Sequence, residues 1–143
     1  MLKNEMLLAA VTAWLAAQII KSVIYAIENR RFDITRLVGD GGMPSGHSAT
    51  VSALATSSAL CFGLSSYQFA LAAVFAVVVM HDASGIRLES GKQAKAINEM
   101  LEYLQTWSFK TTEKRLEELL GHTPLQVLFG ALLGLTVAFL YHL

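Results

Sequence analysis

Four apolar runs separated by polar stretches decide most of what this chain can become. The first, Met6 to Ile27, is interrupted only by Thr12, Gln18, Lys21 and Ser22. As a helix it would be about 33 Å long, close to the thickness of a bilayer's hydrocarbon core. Ala49 to Leu64 carries no charge and is dense in Ala, Ser and Thr, the composition of helices that approach one another closely inside a membrane. Tyr67 to Met80 and Leu125 to Tyr141 are the third and fourth runs. The second and third are short for a span, so a buried hairpin competes with two short crossings; the lack of any charge between Ala49 and Met80 favours crossing. A lysine ahead of the first run also fits a signal peptide, but no small-residue cleavage site follows and further spans do.

The polar stretches complete the plan. Glu28 to Gly42 carries Arg30, Arg31, Asp33, Arg36 and Asp40, and reads as a loop. Residues 83–121 balance six cations against six glutamates, and within them Ala94, Ile97, Leu101 and Leu104, then Leu116, Leu119 and Leu120, recur at helical spacing. That spacing predicts one or two amphipathic helices lying on the membrane surface or on the bundle, with packing as the default reason for the stripe. The expected fold is therefore all-α: one domain over 1–143, an integral membrane helical bundle of about four transmembrane helices (about 6–27, 48–64, 66–81 and 124–141), with a polar helical insertion at about 83–121.

Composition excludes several classes. The chain is 54% hydrophobic and 15% charged, with a mean hydropathy of 0.48, too apolar for an ordinary soluble domain. Its formal charge is zero, so no basic excess points to nucleic acid. A single cysteine, Cys61, rules out an internal disulfide and a metal cluster built on thiolates.

Counting crossings brings the polar residues together. If the first three helices carry the chain across, back and across again, then Lys21 to His47, His81 to Arg87 and the segment up to His122 share one membrane face. Three of the four histidines and every arginine lie on it, leaving out His142, which is given no role. Ten of the eleven Lys and Arg residues, all but Lys3, are also on that face, which the positive-inside bias makes cytoplasmic. A bacterial plasma membrane is the expected location, with inner-leaflet lipids within reach.

Two stretches on that face carry chemistry. In Gly41-Gly42-Met43-Pro44-Ser45-Gly46-His47-Ser48 a glycine-bearing loop runs into a helix. Pro44 suits a first turn, and the N–H groups of Ser45, Gly46 and His47 would face an anion at the helix N-terminus. An N-cap serine with an incidental histidine explains the same four residues about as well. Gly121-His122-Thr123-Pro124 repeats the pattern at the last run. Two histidines at helix mouths, with Lys21 inside a span and arginines nearby, suit a multiply charged anion and two proton-handling or nucleophilic groups. A snorkelling lysine and arginines that merely flank helix ends are the plainer readings of those cations.

Pro44-Ser45-Gly46-His47 resembles the second signature of the type-2 phosphatidic acid phosphatase and vanadium haloperoxidase superfamily, in particular its small divergent membrane branch. His122-Thr123-Pro124-Leu125-Gln126-Val127 is similar to the second half of the third signature, with Arg87 standing for the arginine of its first half. Lys21 with Arg30 or Arg31 resembles the first signature. The resemblance implies that His122 attacks phosphorus, that His47 protonates the leaving oxygen, and that Lys21, Arg30 or Arg31, Arg87, Ser45 and Gly46 hold the phosphoryl oxygens. It implies a phosphorylated lipid as substrate, and neither cofactor nor metal. The small-residue faces and the insertion would suit a homodimer. The family has an aspartate four residues after the nucleophilic histidine, where this chain has Gln126. An amide there can orient the ring but adds no charge, so Asp82, Asp40 or Glu118 is expected to share that role, or else hydrolysis gives way to binding alone.

Overall fold

The first helix begins at a cap. Asn4 accepts from the Leu7 N–H at 3.0 Å, satisfying one of the unpaired donors that every helix start exposes, and Glu5 places a negative charge in the first turn. From there α1 (Glu5–Asn29) runs 25 residues to Arg30, which closes it in the left-handed region at φ 51°. The computed structural model describes residues 4–31, 42–106 and 122–143, the side chains of 86–88 and 104–106 excepted. The remaining described elements are α2 (Gly46–Phe62), α3 (Tyr67–Ser84), α4 (Ile86–Thr106) and α5 (Pro124–Tyr141).

Each apolar run has become a helix. Three of them, α1, the continuous stretch Tyr67–Tyr103 and α5, are long and apolar enough to cross a membrane. With 17 residues α2 is shorter, and it packs at the centre with α1, α3 and α5 around it. Between α2 and α3 the chain reverses within Gly63 to Ser66, where Gly63 has φ +84° and the Ser66 side chain donates to the Gly63 carbonyl at 2.7 Å. The amphipathic stripe expected in the insertion is rotated. The packed face of α4 follows Gly91, Ala94, Asn98 and Leu101, while Ile97 is exposed. The Leu104 side chain and Leu116, Leu119 and Leu120 lie outside what the structure describes.

The interior is built from the smallest side chains. Ala13 and Ala17 of α1, Ala49 and Ala53 of α2 and Ala138 of α5 form the core cluster, with Leu133 and Val137 packed on it. The large apolar side chains point outward: Leu15, Ile19, Val23, Leu71, Val74, Val78, Leu128 and Phe139 are all exposed. Such an arrangement suits hydrocarbon as solvent, because lipid is as apolar as leucine and helix association there rests on close backbone approach. The α2–α5 seam shows how close. A Cβ built on Gly134 would collide with the Ala49 carbonyl and lie 2.9 Å from the Ala53 nitrogen. One built on Gly130 would collide with the Ser45 carbonyl and lie 2.9 Å from Ser48 Cβ.

The helices are not level with one another. Gly46, at the start of α2, faces Trp14 near the middle of α1, and Ser58 donates to Met6 Sδ at 3.3 Å nearer the other end. At 1.5 Å per residue, the part of α1 that follows Trp14 is about 22 Å long. The mouth of α2 is recessed against the flank of α1.

Candidate functional site

Both histidine-bearing helix starts are held by backbone hydrogen bonds between segments. The Ser45 N–H donates to the Gln126 carbonyl at 3.0 Å, and the His122 N–H donates to the Ala83 carbonyl at 3.0 Å. The first bond ties the loop ahead of α2 to the opening turn of α5; the second ties His122 to the last turn of α3. With Gly130 allowing α5 to lie against Ser45, these bonds bring the two imidazoles together. Their ring centroids are 5.8 Å apart and their planes inclined by 59°. His122 is buried and His47 half-buried.

At α2 the cap is Ser45, not a turn begun by Pro44. Ser45 is fully buried, and its oxygen accepts from the Ser48 N–H at 3.3 Å and the Ser48 hydroxyl at 3.0 Å. Pro44 lies outside the helix, behind a cis Met43–Pro44 bond. With the Ser45 and Ser48 amides engaged, Gly46 and His47 are the first-turn N–H donors left for an anion. The expectation of N–H donors facing a ligand is thus narrowed to two, and Ser45 acts as the serine cap that was the competing reading.

At α5 the cap also orders the histidine. Thr123 and Gln126 form a capping box: the Gln126 N–H donates to Thr123 Oγ1 at 3.4 Å, and the Thr123 N–H donates to Gln126 Oε1 at 3.1 Å. The same Oε1 lies 3.3 Å from His122 Nδ1. Because a backbone N–H only donates, the amide atom facing it must be oxygen, and that oxygen can meet Nδ1 only as an acceptor. The neutral ring therefore carries its proton on Nδ1 and its lone pair on Nε2. The aspartate absent at this position is replaced by an amide that sets the tautomer without adding charge.

Lys21 is the cation the fold brings in. It is buried, with 7% of its surface exposed, and it lines a cavity of about 220 Å³ together with Ile24, Tyr25, Glu28, Gly42, Met43 and Gln126. Gly42 permits this packing. It has φ +82°, and a Cβ there would lie 3.1 Å from Lys21 Cγ. Through Gln126 the cavity adjoins His122. Tyr25 and Glu28 were missed from sequence, although Tyr25 stands one turn from Lys21 on the same helix face and could have been found by that spacing.

A second, apolar groove of about 340 Å³ lies between α1 and α5, lined by Ile20, Pro44, Phe129, Leu132, Leu133 and Thr136, and it shares Ile24 and Met43 with the Lys21 cavity. The cavity beside Lys21 thus adjoins an apolar groove on the outer surface of the bundle.

The other expected residues are placed less centrally. Arg30 and Arg31 are exposed at the end of α1, and neither lines the cavity. Asp82 is half-buried in the last turn of α3, one residue before the carbonyl that holds His122. The Arg87 side chain, Asp40 and Glu118 lie outside the described residues.

Two comparisons with known proteins place the chain among membrane proteins. A family model described as the divergent PAP2 family matches residues 2–137. A Bacillus subtilis (strain 168) protein described as an uncharacterized membrane protein, YuiD, is 41% identical over 145 residues, covering 94% of this chain and 92% of its own. No solved structure matches.

Proposed function

The chain belongs to the divergent PAP2 family, and from that premise we propose that it is a membrane lipid-phosphate phosphatase, hydrolysing a phosphomonoester or diphosphate of a lipid through a phosphohistidine. The observation that carries the proposal is the His47–His122 pair, 5.8 Å apart at two helix mouths. In the first step the Nε2 lone pair of His122 attacks phosphorus, the ester P–O bond breaks, and protonated His47 gives its proton to the leaving oxygen. In the second, neutral His47 takes a proton from water as that water attacks phosphorus, the P–N bond breaks, and phosphate leaves. Lys21 and the Gly46 and His47 amides would hold phosphoryl oxygens, and phosphoryl transfer asks chiefly for positioning and positive charge around them. Splitting the reaction through His122 also replaces one difficult displacement by two easier ones.

The groove beside the cavity supports a lipid over a water-soluble ester: a head group beside Lys21 would leave its chain lying between α1 and α5, facing hydrocarbon. The cation bias supports a cytoplasmic site at a bacterial plasma membrane, with phosphatidic acid or phosphatidylglycerophosphate as accessible substrates.

One observation favours a second reading. Gln126 offers His122 no negative charge, which suits a protein that binds or carries a phosphorylated lipid without cleaving it. Phosphate release by the detergent-purified protein on a panel of lipid phosphates separates the two. Turnover that disappears in both His122→Ala and His47→Ala supports the phosphatase; saturable binding with no turnover in the parent protein replaces it with the carrier.

A further inference from the structure

At the end of the bundle opposite the paired histidines, three helix ends bring together three side chains of different metal-binding chemistry. Glu5 is in the first turn of α1, Cys61 in the last turn of α2, and His142 at the C-cap of α5. His142 Nε2 is 4.0 Å from Cys61 Sγ, and His142 Nδ1 is 3.9 Å from Glu5 Oε2. One ligand atom from each residue lies within 4.8 Å of the other two. The imidazole is held in place by its own backbone, whose N–H donates to the Ala138 and Phe139 carbonyls, each at 3.2 Å, and by the Tyr141 ring beside it. Cys61 and Glu5 are exposed, so an ion can enter.

We infer that Glu5, Cys61 and His142 form a binding site for a thiolate-seeking divalent cation, Zn²⁺ foremost, which clamps the ends of α1, α2 and α5 together. Sulfur, imidazole nitrogen and carboxylate oxygen are the donors Zn²⁺ takes, whereas Mg²⁺ and Ca²⁺ favour oxygen alone. Tetrahedral zinc with a sulfur at about 2.3 Å and a nitrogen at about 2.0 Å holds those two atoms about 3.5 Å apart. The observed 4.0 Å asks for a small rotation of the exposed thiol, and the exposed Glu5 carboxylate, whose Oε2 faces Nδ1 at 3.9 Å, swings toward the Nε2 side on binding. On binding, Cys61 loses its proton to solvent, the ion takes the thiolate, one imidazole nitrogen and one carboxylate oxygen, and a water fills the fourth position. A His–Glu pair 3.9 Å apart with an exposed carboxylate is worth little by itself and leaves the thiol unexplained; the ion accounts for all three.

The test uses the full chain, purified in detergent without a histidine tag and titrated with Co²⁺ as a spectroscopic probe. A thiolate-to-cobalt charge-transfer band with tetrahedral d–d absorption is expected, displaced by equimolar Zn²⁺ and absent in Cys61→Ser. His142→Ala and Glu5→Gln should each weaken Co²⁺ binding tenfold or more, and Zn²⁺ should raise the unfolding temperature of the parent but not of Cys61→Ser. Cys61 lies fourteen residues beyond His47, about 21 Å along α2, so phosphate release should be unchanged in these variants. A parent protein with no thiolate band, or a Cys61→Ser variant that binds Co²⁺ as tightly as the parent, overturns the site.

Discussion

His122 takes its tautomer from Gln126, whose side-chain oxygen accepts from Nδ1 at 3.3 Å while also accepting the Thr123 N–H at 3.1 Å. The cap of α5 and the chemistry of the ring are thus one arrangement. Glutamate at the same position keeps the capping box, keeps the acceptor and adds a charge beside the imidazolium that phosphorylation creates. A charge-assisted hydrogen bond exceeds a neutral one by roughly 1 kcal/mol, so Gln126→Glu is expected to speed phosphoenzyme formation several-fold, up to about tenfold. Gln126→Leu loses both the cap and the acceptor; it should lower turnover by at least that factor and stability by about 1 kcal/mol. Quenched-flow trapping of the phosphoenzyme and thermal unfolding read the two effects separately.

Lys21 and the arginines at the end of α1 should behave differently. Lys21→Met removes the cation lining the cavity and is expected to lower kcat/KM for a lipid phosphate by 100-fold or more, since lost preorganised charge at such a site costs several kcal/mol. Arg30→Ala and Arg31→Ala, at exposed positions, should change it less than threefold. Gly42→Ala should reproduce part of the Lys21 defect, because a side chain at φ +82° is strained and its Cβ presses on Lys21 Cγ at 3.1 Å. Equal losses in Arg30→Ala and Lys21→Met would contradict the placement of both.

The glycines of α5 answer to stability. Gly134→Leu and Gly130→Leu force α5 away from α2, and overpacking of this kind costs about 1–3 kcal/mol or more. Each is expected to lower the unfolding temperature in detergent and, for Gly130, to abolish turnover by parting His122 from His47. Leu128→Ala, on the exposed face, should leave the unfolding temperature nearly unchanged.

The groove can be tested through chain length. Leu132→Trp fills it without touching the cavity, so KM for a long-chain phosphatidic acid should rise at least fivefold while a short-chain analogue is cleaved as by the parent. Equal effects on both substrates would place the chain elsewhere.

Much of the bundle was legible because lipid imposes its demands locally: each apolar run from Met6 onward announces itself by length and composition alone. The two helix-mouth histidines were legible for a similar reason, since Gly, Pro, Ser and His at a loop–helix junction each have a backbone reason to be there. What sequence could not supply was register. Arg30 and Arg31, nine and ten residues after Lys21, end exposed beyond α1 and neither lines the cavity that holds Lys21. Ser45 and Pro44 exchanged roles because the cap position depends on where the loop enters the bundle, which Ser45 settles by bonding to Gln126. The convergence of Glu5, Cys61 and His142 needs the start of α1 and the ends of α2 and α5 at one level, and no single stretch of chain encodes it.

The offset between α1 and α2 sets a thermodynamic filter. An anion that reaches the imidazoles must first shed much of its hydration shell, and that desolvation is unfavourable for every phosphate alike. Lys21 and two helix-end amides return only part of the loss. A ligand with a long hydrocarbon tail makes up the difference by transferring that tail out of the aqueous phase, whereas inorganic phosphate or a sugar phosphate has nothing to set against it. Selectivity for amphiphiles would then be a property of depth, exercised before any contact with the head group discriminates one lipid from another.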